Sequence, residues 1–224
     1  MAFAAHMTIT RSIRAFRALS LSMNHRTFTH RIHCAGRLLV LVALVCLGVA
    51  HAESPALKAG VFDPPRRAPD FVLKGSNDSP LQLSHFDGKV VVLGFGFTSC
   101  PNVCPTTLAT LAAARKNLGA EAADVQVVYV TVDPERDTPA QMKKYLATFD
   151  ASFLGASGAP DALKKVQADY GIQAEKKIFG NDYSYAHSSY TYLIDRKGVL
   201  RALMPYGHPP GDYVNDLKIL LSER

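Results

Sequence analysis

Residues Lys89–Phe97 read KVVVLGFGF, and the chain continues as Thr98-Ser99-Cys100-Pro101-Asn102-Val103-Cys104-Pro105. The first segment is continuously apolar and rich in β-branched and aromatic residues, which is the pattern of a strand covered on both faces. Leu108–Leu118 is rich in Ala and Leu and predicts a helix. Two cysteines therefore stand between the end of a buried strand and the start of a helix, where open α/β sheets place their ligand sites. Proline lacks an N–H and disturbs a helix interior, so regular helix is expected from about Pro105.

Working outward, Val125–Val132 (VQVVYVTV) predicts a second buried strand. Thr138-Pro139-Ala140-Gln141 then supplies an N-cap, a proline at the first helical position and a glutamine at the third. That capping box opens a helix to about Phe149. Phe153-Leu154 suggests a short strand and Ala159–Tyr170 a further helix. Tyr190–Asp195 and Val199–Met204 flank the turn Arg196-Lys197-Gly198 and predict an antiparallel hairpin. Pro210–Leu221 predicts a closing helix. The expected fold class is α/β, a mixed central sheet flanked by helices. Its order is that of a thioredoxin-like fold with an insertion, in one domain over residues 68–224.

The formal charge of +6 is misleading. Residues 1–52 contain Arg11, Arg14, Arg17, Arg26, Arg31 and Arg37 and no acid, leaving 19 of the 25 basic residues against 19 acidic ones in residues 53–224. A neutral domain offers little support for a phosphate-binding surface, so nucleic acid is not an expected partner. With 48% hydrophobic residues and no low-complexity tract, disorder throughout is excluded. Leu38–Ala50 (LLVLVALVCLGVA) follows Arg37 and precedes Ala50-His51-Ala52, which together read as a signal peptide cleaved after Ala52. The run is shorter than the roughly 20 residues that span a bilayer. An uncleaved membrane-targeting presequence, associating with the membrane through residues 38–50, is the alternative. Initiation at Met23 would give a presequence of more usual length. A bulky Val45 before Cys46 argues against lipid modification there. The expectation is export to a periplasm, with inner-membrane tethering as the variant and the mitochondrial intermembrane side as the eukaryotic counterpart. Residues 53–67 (ESPALKAGVFDPPRR) read as a flexible tether.

Export leaves Cys100 and Cys104 as the only cysteines of the domain, in a compartment that oxidises thiols. A structural disulfide would close a very short loop and stabilise little. Zinc ordinarily takes four ligands, more than two cysteines and a few histidines readily supply. Thiolates near a helix N-terminus are both nucleophiles for disulfide exchange and soft ligands for Cu(I). Both readings stay open on the cysteines alone.

His187 precedes the strand Tyr190–Asp195. In a thioredoxin-like arrangement its loop faces the cysteine loop, where a redox thioredoxin carries a cis-proline. No proline lies between Gly180 and Asp195. An imidazole there completes an S,S,N site for Cu(I), or part of a larger shell for Cu(II). His85 and His208 read as structural or solvent-facing, although His208 could adjoin a loop site. In Val132-Asp133-Pro134-Glu135-Arg136-Asp137-Thr138-Pro139 a turn and a helix cap account for most residues. Asp133, at the strand end, is a candidate to support a ligand from outside by hydrogen bonding.

Three stretches, GFGFTSCPNVCPTT (94–107), VTVDPERDTPAQMKKY (130–145) and AHSSYTYLID (186–195), resemble the SCO/SenC family of copper-handling thioredoxin-like proteins over residues 68–221. The resemblance implies copper held by Cys100, Cys104 and His187. It also implies, as partner, the copper-site subunit of cytochrome c oxidase, or other copper- and thiol-transfer proteins. Two functions follow. The first is a metallochaperone that delivers copper to the binuclear copper site. The second is a thiol–disulfide oxidoreductase in which Cys100 and Cys104 form the redox pair that reduces an acceptor's cysteines. Only the second is enzymatic. Nothing besides the cysteines suggests a peroxide pocket.

Overall fold

The computed structural model describes residues 56–223. In chain order the strands are β1 (Gly60–Arg67), β2 (Val72–Gly75), β3 (Pro80–Gln82), β4 (Val90–Gly96), β5 (Val125–Thr131), β6 (Leu154–Ser157), β7 (Ala174–Phe179), β8 (Asp182–His187), β9 (Tyr190–Ile194) and β10 (Val199–Pro205). The helices are α1 (Val103–Leu118), α2 (Pro139–Leu146), α3 (Pro160–Asp169) and α4 (Pro210–Ser222). The presequence expected over 1–52, the apolar run 38–50 and Cys34 and Cys46 lie outside the described residues. Among the described residues no helix is long and apolar enough to cross a membrane.

All of β4 is buried, as its unbroken apolar run requires, and it sits near the middle of an eight-stranded sheet ordered β1-β10-β9-β4-β5-β6-β2-β3. β4, β5 and β6 are parallel, β9 runs antiparallel to β4, and β10 runs antiparallel to β9. This is the mixed sheet of a thioredoxin-like domain. Helix α1 packs beside α4, and α2 lies against β6. The C-terminal end of β4 and the N-terminal end of β9 meet at one edge, since Gly94 pairs with Thr191. The cysteine loop and His187 are thereby brought to the same end of the sheet.

The capping box forms as read, with the Gln141 N–H donating to the Thr138 hydroxyl at 3.2 Å and Pro139 at the first helical position. Two segments differ from expectation. Residues 60–67, read as part of the tether, form edge strand β1 against β10. Pro64 and Pro65 concealed it, and they are accommodated because an edge strand pairs on one side only and the register shifts between Val61 and Arg66. The inserted segment forms a separate two-stranded sheet, β7 against β8, with His187 at the end of β8 rather than in a loop.

The backbone just before β1 is fastened by Asp216 of α4. Its buried carboxylate accepts from the Lys58 and Ala59 N–H groups at 2.7 and 2.9 Å. Asp216→Ala strands these donors and should lower stability by about 2–3 kcal/mol. Denaturant unfolding, with amide exchange at Lys58 and Ala59, checks this.

Candidate metal centre

Beyond β4 the chain turns sharply, and the turn is fixed before either cysteine is reached. The Val132 N–H donates to the Gly96 carbonyl at 2.8 Å. The Thr98 N–H and hydroxyl donate to the Asp137 carboxylate at 2.9 and 2.6 Å, and the Thr131 hydroxyl donates to it at 2.6 Å. Asp137 is fully buried. Desolvation raises its pKa, and the hydrogen bonds from Thr131 and Thr98 act in the opposite sense. The carboxylate that reaches the cysteine loop is thus Asp137, which the capping box had seemed to explain. Asp133, the expected candidate, faces the other way. It accepts from the Tyr183 hydroxyl at 3.0 Å and from Arg136 Nε at 2.5 Å.

Helix α1 begins at Val103, two residues before Pro105, which falls in the first turn where a missing N–H breaks no helical bond. Asn102 at the N-cap makes no side-chain cap bond. The Cys100 sulfur takes that place and accepts from the Cys104 N–H at 3.4 Å. The two sulfurs are not bonded to each other. Cys104 is 1% exposed, and Cys100 is half-buried. Their acidities diverge. The hydrogen bond from the Cys104 thiol holds Cys100 far below the ordinary thiol range, burial opposes this, and His187 with the Cys104 and Asn102 amides adds to the lowering. Cys104 is pushed up, chiefly by donating to Cys100 and by burial, with Tyr129 acting against both. The thiolate belongs on Cys100, over the helix N-terminus.

His187 Nε2 lies 3.6 Å from Cys104 Sγ, and Nδ1 lies 2.9 Å from the Ser188 carbonyl. A carbonyl only accepts, so Nδ1 carries the proton and Nε2 presents its lone pair to the sulfur. Phe97 steadies the ring edge-on at a centroid distance of 5.8 Å, and also meets Tyr185 at 5.9 Å. An ion bonded to one sulfur at about 2.3 Å and one nitrogen at about 2.0 Å, with an angle near 110°, separates them by about 3.5 Å. The Cys104–His187 pair fits that span. Among the described residues no three His, Cys, Asp or Glu side chains are drawn in around one point. His85 is exposed in the turn Leu83–Phe86, before β4 and away from the cysteines. His208 pairs with Asp212 at the start of α4, 2.8 Å away.

Two thiols and an imidazole at the strand ends of a mixed sheet define a thioredoxin-like domain with a soft-metal donor set. The chain belongs to the SCO1/SenC family, whose profile matches residues 62–222. A protein of Stutzerimonas stutzeri named for copper binding is 35% identical over 172 residues, covering 74% of this chain and 84% of that protein. The structure of Bradyrhizobium japonicum ScoI with copper bound is 35% identical, with TM-score 0.65, covering 69% of this chain and 99% of that one. The solution structure of apo Sco1 from Thermus thermophilus is also 35% identical, with TM-score 0.68, covering 75% of this chain and 99% of that one.

Reactivity tests the division of roles. A lowered Cys100 pKa keeps the thiolate populated as pH falls below 7, whereas a raised Cys104 pKa keeps that thiol protonated. Iodoacetamide at pH 6 should label Cys100 in the reduced, metal-free protein and spare Cys104 until it unfolds. Mass mapping of the labelled peptide reads the outcome, and equal labelling contradicts the assignment.

Proposed function

We propose that this chain is a copper metallochaperone in which Cys100, Cys104 and His187 hold copper and pass it to the binuclear copper site of cytochrome c oxidase. The observation that carries this reading is the 3.6 Å approach of His187 Nε2 to Cys104 Sγ, with Nδ1 committed to Ser188. A thiolate, a buried thiol and a neutral imidazole suit Cu(I), and loss of the Cys104 proton on binding gives two thiolates. Copper here is cargo: an acceptor's ligands replace these three in turn. The copper-bound ScoI from Bradyrhizobium japonicum supports copper as the cargo by family likeness.

The inequivalent thiols favour a second reading beside the first. The Cys100 thiolate attacks an acceptor disulfide and releases one acceptor thiolate, which takes a proton. Cys104 then gives up its proton and attacks the mixed disulfide. The acceptor leaves as a dithiol, its two electrons supplied by the pair, which becomes the Cys100–Cys104 disulfide. The 1% exposure of Cys104 suits the resolving role. Residues 1–52 are read as the export signal or membrane-targeting presequence, which would place the domain in a periplasm or at its inner membrane.

The deciding measurement is a copper titration of residues 53–224, reduced and oxidised, followed by absorption and metal analysis. Reduced protein should bind one copper per chain and oxidised protein none, because a disulfide offers no thiolates. His187→Ala should weaken affinity at least about tenfold. Absence of uptake by the reduced protein, or unchanged affinity in His187→Ala, defeats the chaperone reading. Robust turnover of a disulfide substrate by metal-free protein, insensitive to His187→Ala, favours the second.

A further inference from the structure

His187 is carried by a hairpin that has no place in the main sheet. β7 and β8 pair only with each other, from Ala174 opposite His187 to Phe179 opposite Asp182. With no ladder bonds to the main sheet, the hairpin is held by its chain connections, where the Tyr206 N–H donates to the Ser189 carbonyl at 3.0 Å just before β9, and by the side chains that tie its far part down. Side chains alternate along a strand, so Tyr183, Tyr185 and His187 share one face of β8. Their rings form a column, with Tyr183 and Tyr185 at 6.0 Å and Phe97 touching both Tyr185 and His187.

At the far end of this column Arg136, in the loop after β5, grips Tyr183. Its Nη1 donates to the Tyr183 carbonyl at 3.1 Å and to the Asp182 carboxylate at 3.3 Å, and its guanidinium lies 3.9 Å from the Tyr183 ring centroid. Asp133, buried, aims the guanidinium through Nε and also accepts from the Tyr183 hydroxyl. Lys176, paired with Glu135 from the same loop, stands 3.7 Å from the same ring centroid. Arg136 Nη2 is buried without a partner. A guanidinium that strands one donor is a poor device for stability alone and is better explained by the position it enforces.

We propose that Arg136, aimed by Asp133 and closed on Tyr183, is a positioning residue that holds His187 over the cysteine pair from about 13 Å along the strand. The hairpin is a stiff lever: its six paired positions transmit a hold at Tyr183 to the imidazole four residues on. Loosening that hold lets His187 move off Cys104 while the cysteine loop, fastened separately by Asp137, stays in place. This extends the ligand reading of His187 by naming what keeps the ligand in register.

The test uses the full chain, reduced, in two measurements. In metal-free protein, nuclear Overhauser contacts between the His187 and Phe97 rings report position without copper. Arg136→Ala should abolish them and speed amide exchange across residues 183–187 at least about tenfold. Persistence of the ring contacts overturns the proposal. Tyr183→Phe keeps the ring and removes only the hydroxyl bond, so it should loosen the contacts part-way, and it serves if Arg136→Ala fails to fold. In the second measurement, Cu(I) affinity is read by competition with a chromophoric chelator. Arg136→Ala should weaken it about tenfold in the wild-type background and under about twofold in His187→Ala. Equal loss in both backgrounds shows a general structural effect and overturns the proposal. If His187→Ala itself leaves affinity unchanged, the ligand reading fails, and the ring contacts still decide the latch.

Discussion

The close approach at Gly96 is the constraint from which the site follows. A Cβ added there would fall 2.0 Å from the Tyr129 hydroxyl oxygen and 2.7 Å from Cys104 Sγ. Without a side chain at the strand end, the first turn of α1 settles directly onto the sheet, and the Cys104 sulfur meets the Tyr129 hydroxyl inside the core. Donation to Cys100, together with burial, then keeps Cys104 protonated. Cys100, just before the helix, is left at the surface as acceptor for the free N–H groups of the first turn. The inequality of the two thiols is therefore a packing result. It arises from where helix and sheet can touch, and each cysteine's partners follow from that.

The other half of the site has a different mechanical character. The cysteine loop grows out of the most buried strand of the sheet, whereas His187 arrives on a hairpin that pairs only with itself. One short loop reaches both. From Val132-Asp133-Pro134-Glu135-Arg136-Asp137, the Asp137 carboxylate turns to Thr98 beneath the cysteines, and Asp133 with Arg136 turns to Tyr183 on the hairpin. The two carboxylates, four residues apart, thus hold the two halves of one constellation. The loop's charges are consumed internally, in keeping with a domain that has no net charge to offer a polyanion.

The strands that are apolar without interruption, and the helices with caps, could be read from the residues: β4, β5, α2 and the β9–β10 hairpin lie close to where periodicity puts them. What escaped reading was edge and insertion. β1 was hidden by Pro64 and Pro65, which composition assigns to a tether and which only an edge position tolerates. The β7–β8 hairpin was hidden by residues that are mostly polar or exposed and that bury only a few rings. A signal was present, because Asp182-Tyr183-Ser184-Tyr185-Ala186-His187 alternates rings with small or polar residues at the period of a strand. Read that way, His187 falls on the same face as two tyrosines. At the site, Cys100, Cys104 and His187 stood out by chemistry. Asp137 did not, because a carboxylate beside a Thr-Pro helix start has a sufficient local explanation. Only tertiary structure shows it pointing away from the cap.

The proposed metal and redox roles draw on the same atoms, and the tautomer of His187 bears on which is better served. With Nδ1–H given to the Ser188 carbonyl, Nε2 can accept but cannot donate. To act as a ligand it need change nothing. The Cys104 thiol gives its proton to the Cys100 sulfur in a hydrogen bond, and His187 Nε2 stands 3.6 Å from the Cys104 sulfur. On the chaperone reading a soft monocation takes that proton's place, and the proton is released as the metal binds. Oxidation removes the thiolate donors while leaving the imidazole where it is, so one disulfide turns a copper holder into a form that must be reduced before it can load. In an oxidising compartment, loading then depends on a supply of electrons as much as on a supply of copper.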